Sequence, residues 1–175
     1  MKFKNQTIKF AAAAIFAVIV STCLVFAKQP VKLKQLNLEI THGEVRVILL
    51  RAGQVVSTNG QKQFVATYAV EIPDKGAFSD LHLSSDTALN LAVRGQAIAF
   101  SFSKGNTCMG FEDLQKETGL QMPETTKGKA ICADELLIGN LDGDFKIDSK
   151  KVDVIVQFDW RKNPQKFVFK DVPLN

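Results

Sequence analysis

The chain is poor in the side chains that catalysis uses most. Its 175 residues hold two histidines, three cysteines, one tryptophan and one tyrosine. His42 and His82 lie 40 positions apart, whereas metal sites draw their His and Cys ligands from clusters. Neither reads as a ligand, and no metal or cofactor is expected. Gly-x-Ser-x-Gly, a phosphate-binding glycine loop, His-Glu-x-x-His and Cys-x-x-Cys are all missing. These absences remove the common hydrolase, nucleotide-binding, zinc-protease and dithiol-redox classes.

Two partial motifs fail on inspection. Ser101-Phe102-Ser103-Lys104 has the Ser-x-x-Lys spacing of penicillin-interacting enzymes. It falls on an expected strand rather than at the start of a helix, and its Ser-Asp-Asn and Lys-Thr-Gly partners are missing. Around Asp142, Gly143 and Asp144, placing Gly143 at position 6 of a calcium loop puts Ile138 at position 1 and Ser149 at position 12. Both ends fail, and a hairpin turn flanked by solvated acids accounts for the residues.

Acidic residues are absent from the first 27 positions. Lys2, Lys4 and Lys9 precede 18 uncharged residues, Phe10 to Ala27, which close on Val25-Phe26-Ala27. A basic start, an apolar stretch and a small residue at the cut describe a secretory signal peptide. An uncleaved anchor is the alternative, since ~17–25 apolar residues span a bilayer. Either way the positive N-terminal flank places residues 28–175 outside the cytoplasm, as one periplasmic or secreted domain. Membrane contact is expected only through residues 10–27, and only if they are retained. Thr22 stands where a lipidation signal before Cys23 wants Gly or Ala, so Cys23 reads as one more apolar residue of the segment.

Without residues 1–27 the chain carries 19 basic and 18 acidic residues. That balance leaves no basic field for nucleic acid. Two cysteines remain, Cys108 and Cys132, and in an oxidising compartment an isolated pair reads as a disulfide. It closes 23 intervening residues and contributes about 3 kcal/mol in the chain-entropy model; two buried free thiols are the alternative.

What the sequence has in plenty is alternation. Val152, Val154, Val156, Phe158 and Trp160 take turns with Asp153, Ile155, Gln157 and Asp159. A strand sends successive side chains to opposite faces, so this is one dry and one mostly wet face. Trp160 ends the dry face as a core residue. Phe64, Ala66, Tyr68, Val70 and Ile72 form a second such strand after the hairpin dipeptide Asn59-Gly60. Leu36, Leu38 and Ile40 share a face of another. Residues 44–51 turn apolar on both faces, which suggests a central or covered strand, with Arg51-Ala52-Gly53 expected to break it. Short strands follow around Leu81–Leu83, Leu89–Val93 and Gln96–Ser103, then at Ala133–Leu141, Phe145–Ile147 and Phe167–Phe169.

Alternation fails between Lys104 and Lys129, where residues 111–118 suggest one or two helical turns stopped by Gly119. The expected architecture is all-β: an antiparallel sandwich, Ig-like or jelly-roll, of about 8–10 short strands. One short helix sits in a disulfide-closed loop.

That loop is the candidate binding element, through Phe111, Leu114, Leu120, Gln121 and Met122. A tethered loop loses less entropy on binding; the competing reading has Phe111 and Leu114 capping the sandwich. The leading expectation is a non-enzymatic extracytoplasmic protein that engages another envelope or secreted protein, as an assembly component, adhesin-like module or inhibitor. A second is a carrier of an apolar ligand between the sheets, hinted at by Phe100, Phe102, Phe145, Phe158, Phe167 and Phe169. A third is a hydrolase with an unrecognised site.

Overall fold

The computed structural model describes residues 33–83, 87–102, 115–116, 119–121, 124, 129–139 and 149–174, with the backbone alone at 99–102. Residues 1–27, Cys108 and the expected strand at Phe145–Ile147 lie outside them. Nine strands are present among the described residues: β1 (Gln35–His42), β2 (Val45–Val56), β3 (Lys62–Ile72), β4 (Leu81–His82), β5 (Ala88–Val93), β6 (Gln96–Phe102), β7 (Ala130–Ile138), β8 (Lys151–Trp160) and β9 (Asn163–Pro173). All pairings are antiparallel. One sheet, here sheet A, has the order β1-β2-β3-β7. In sheet B, β8 pairs with β9 on one side and with both β4 and β5 on the other, and β6 pairs with β5. No described helix is long and apolar enough to cross a membrane.

The two sheets share one core because their dry faces meet in a single buried cluster. Val45, Val47, Leu49, Phe64, Tyr68 and Val70 enter it from sheet A, and Leu89, Leu91, Val154, Val156, Phe158 and Phe167 from sheet B. Burying an aliphatic or Phe side chain contributes roughly 1.5–3 kcal/mol, so the alternation is what closes the layers. Phe167 is fully buried, stacked on Phe158 at 5.4 Å and on His42 of sheet A at 4.7 Å. β8 has the faces expected of it: Val152 to Trp160 on the even positions are buried, while Asp153 to Asp159 on the odd ones are half-exposed.

Three details depart from simple alternation. β2 is not broken at Arg51-Ala52-Gly53 but runs on to Val56. A bulge between Leu49 and Arg51 absorbs one extra residue, so Leu50 and Arg51 both face outward and Ala52 returns to the core. On β1, a bulge between Gln35 and Leu38 has Asn37 at φ 52°. Leu36 and Ile40 pack on the core, while Leu38, on this edge strand, is 38% exposed. The connection from β8 to β9 is two residues, Arg161 and Lys162, at φ 50° and 62°.

Non-glycine residues seldom hold that conformation, and here the surroundings fix it. Arg161 donates its backbone N–H to the Asp80 carbonyl at 2.8 Å and its guanidinium to Glu44 and Asp80 at 2.8 and 3.3 Å. The same guanidinium lies 5.0 Å from the Trp160 ring, and Trp160 is buried as expected.

Candidate functional site

The segment expected to bind a partner is, where described, fastened to the outer face of sheet A. Gln115 and Lys116 are helical, and Gly119, at φ 67°, donates its N–H to the Gln115 carbonyl at 2.8 Å, which ends the turn. Leu120 is buried in an apolar cluster with Ile48, Leu50, Ala69 and Ala133. The exposed Gln121 exchanges two hydrogen bonds with the Gln35 side chain, its carbonyl accepting at 2.8 Å and its N–H donating at 3.3 Å. Phe111, Leu114 and Met122 lie outside the described residues. Leu120 is therefore a cover for a strand that is apolar on both faces.

Charged side chains flank that cover. On one side, Arg51 is buried; its Nε donates to Thr67 Oγ1 at 2.9 Å and its Nη2 to Glu135 at 2.8 Å, while the Thr67 hydroxyl donates to Glu135 at 3.0 Å. On the other side, Glu71 is fully buried between Arg46 and Lys129, each 3.4 Å away. Arg46 also pairs with Glu39 and donates to the Glu124 carbonyl at 3.5 Å. The Glu39 hydrogen bond, with Glu71 adding to it, holds the Arg46 guanidinium above its ordinary pKa against the opposing effect of burial. The middle of this face is covered by its own chain, while Leu137 at the β7 edge is exposed.

The inward side of sheet A holds one polar pair. Tyr68 Oη donates to Asp134 Oδ2 at 3.5 Å, and both residues are buried. Burial first, and then the neighbouring carboxylate, push the Tyr68 phenol well above its ordinary pKa. Cys132, two positions before Asp134, is buried and its sulfur is engaged rather than free.

Sheet B presents the opposite arrangement on its outer side. Ile155 of β8 and Val168 of β9 are paired neighbours, both half-exposed. They line a concavity of about 500 Å³ together with Arg94, Asp153, Lys166 and Lys170. A second hollow of about 350 Å³ shares Arg94, Asp153 and Asp171 with it and adds Lys150 and Lys151. Arg94, at φ 50°, belongs to the two-residue β5–β6 turn, and Asp171, at φ 54°, to a bulge in β9. The Asp171 N–H donates to Asp153 Oδ1 at 3.1 Å, which fixes one carboxylate at the rim. Nearby, Asn90 donates to Gln157 at 2.7 Å on the same face.

None of the five basic side chains here is in an ion pair with a described residue. Among the described residues, no group of three or more His, Cys, Asp or Glu could hold a metal ion.

The other sequence-derived candidates are dispersed. His42 of sheet A stacks on Phe167 of sheet B, and His82 pairs with Asp159 within sheet B. Phe158, Phe167 and Phe169 are buried in the shared core, and neither hollow is lined by them. The outer concavity was missed from sequence, although a signal existed. Ile155 is the one apolar residue of the wet set on β8, and Val168 sits between Lys166 and Lys170 on β9. Comparison of the chain with family models, curated proteins and solved structures finds no match.

Proposed function

We propose that this is a non-enzymatic, extracytoplasmic binding protein that engages another protein of the envelope or the secreted space. In this reading residues 1–27 are a signal peptide or anchor, and residues 28–175 form a single β-sandwich of the Ig-like or jelly-roll kind. A Cys108–Cys132 disulfide ties down the segment that crosses sheet A, a pairing supported by Cys132 being a disulfide cysteine. No cofactor or nucleic acid enters the reading.

One observation carries it: of the two outer faces, sheet A's is covered at its middle by its own chain and sheet B's is left open with a hollow. Two half-exposed apolar side chains, Ile155 and Val168, at the bottom of a shallow hollow rimmed by charged residues leave surface that a protein partner could cover. The binding surface is thereby moved from the Leu120–Gln121 segment to the faces of β8 and β9.

Site-specific photocrosslinking in the producing cells tests the reading. A photoreactive residue at Val168 is expected to give one discrete protein adduct. The same residue at Leu137, which is 44% exposed on the outward side of β7, is expected to give none. No adduct from Val168, or the same adducts from both positions, overturns the assignment.

A further inference from the structure

We infer that the open face of sheet B recognises an extended acidic segment of the partner protein, one with carboxylates on both sides of an apolar side chain. The inference rests on the protein-binding reading above and adds the chemistry of what is bound.

Charge is the first argument. The exported chain is nearly neutral, with 19 basic and 18 acidic residues. The two adjoining hollows nevertheless gather five basic side chains against two carboxylates. All five are exposed, and no described residue neutralises them. Elsewhere on the molecule arginines are matched: Arg46 by Glu39 and Glu71, Arg51 by Glu135, Arg161 by Glu44 and Asp80. Opposite charge on a partner raises the association rate and excludes wrong partners more than it adds affinity.

Shape is the second. Lys166 and Lys170 are four residues apart on one face of β9, a separation of roughly 13 Å along a strand. Val168 lies between them and Ile155 beside it, so apolar surface is bracketed by cations along a line. An extended peptide repeats its same-face side chains at ~6.6–6.8 Å, so residues i and i+4 match the two lysines and residue i+2 faces Val168.

The two carboxylates decide between occupants. Asp153 and Asp171 stand among the cations, and Asp153 is held there by the Asp171 N–H. A dense uniform polyanion, such as a phospholipid surface, brings its phosphates against both acids at once. A polypeptide places its own donors opposite them.

The test uses the exported chain and a fluorescent peptide of about ten residues, glutamates on either side of a central leucine, read by anisotropy. Its lysine counterpart and vesicles of equal phosphatidylglycerol and phosphatidylcholine are the comparisons. The acidic peptide is expected to bind at least about ten-fold more tightly than the basic one, and less tightly as salt shortens the ~10 Å screening length of 0.1 M buffer. The double reversal Lys166→Glu/Lys170→Glu is expected to abolish that preference, Lys170→Gln to halve it or more, and Lys75→Glu, outside both hollows, to leave it unchanged. Circular dichroism confirms that the variants are folded.

Equal binding of the two peptides, an equal effect of Lys75→Glu, or stronger binding to the vesicles overturns the inference. An adduct from Val168 that persists in the double reversal overturns the acidic partner while leaving protein binding in place.

Discussion

The two sheets turn the same dry faces toward each other and treat their outer faces in opposite ways. Sheet A covers its outer side with Leu120 and with the ion pairs of Arg51 and Arg46, so that Glu71 and Thr67 have no exposure at all. Sheet B leaves Ile155 and Val168 half-exposed among exposed lysines. The difference separates two uses of charge. In sheet A buried charges are partnered within the chain, because an unpaired buried ion is costly; in sheet B the cations stay exposed to water.

Five substitutions probe this contrast. The largest effect is expected from Arg51→Ala, which removes the guanidinium that donates to Thr67 and Glu135 inside the covered face. Breaking one side of a buried pair costs ~3–5 kcal/mol; with Glu135 23% exposed on its side chain, about 3 kcal/mol in urea denaturation is expected. A loss below about 1 kcal/mol, the range of surface pairs, would make the two faces equivalent.

Next is the proposed tether. Cys108→Ser is expected to lower stability by about 3 kcal/mol and to speed amide exchange on β2 and β3. Unchanged exchange would detach the cover from the disulfide. Leu120→Ala follows at about 2–3 kcal/mol, the low end of the range for truncating a buried leucine. At the other extreme, Ile155→Ser and Val168→Ser are expected to stay within about 1 kcal/mol of the parent, because water already reaches both side chains. A larger loss would mean that the open face also serves the fold.

The shared interior adds a pH dependence. The Tyr68 phenol has its pKa raised by burial and by Asp134, so the folded state holds this proton more tightly than the unfolded chain. The corresponding stability is present in full below the unfolded value of ~10 and is lost as pH rises from there toward the folded value. The denaturation midpoint is therefore expected to fall steeply above about pH 10, and Tyr68→Phe to flatten that decline. An identical slope in the variant would assign it to other groups.

Much of this was legible in advance, for a reason that also marks where legibility stops. β8 and β3 announce themselves because every second residue is large and apolar, and nothing interrupts the count. The double-sided apolar pattern of β2 correctly signalled a central, covered strand. Its continuation past Arg51 was hidden, since Arg-Ala-Gly looks like an ending and a bulge has no composition of its own. The open site was hidden for a different reason. Ile155 and Val168 lie on separate strands, and only the β8–β9 register makes them neighbours. Leu120 was read as one of the candidate binding residues of the loop, because its neighbours Ile48, Leu50, Ala69 and Ala133 come from three strands that no local window contains.

The extra residue in β2 works as a change of phase within one strand. Before it the odd positions Val45, Val47 and Leu49 look inward; after it the even position Ala52 does. A strand of the same length without the bulge would have to alternate throughout, and one half would surrender its facing, driving either the Arg51 guanidinium into the oil or the valines out of it; removing Leu50 instead would restore plain alternation, at the cost of its contact with Leu120. The bulge therefore sets which side chains look inward as firmly as their identity does, at a place where the sequence itself looks like a turn.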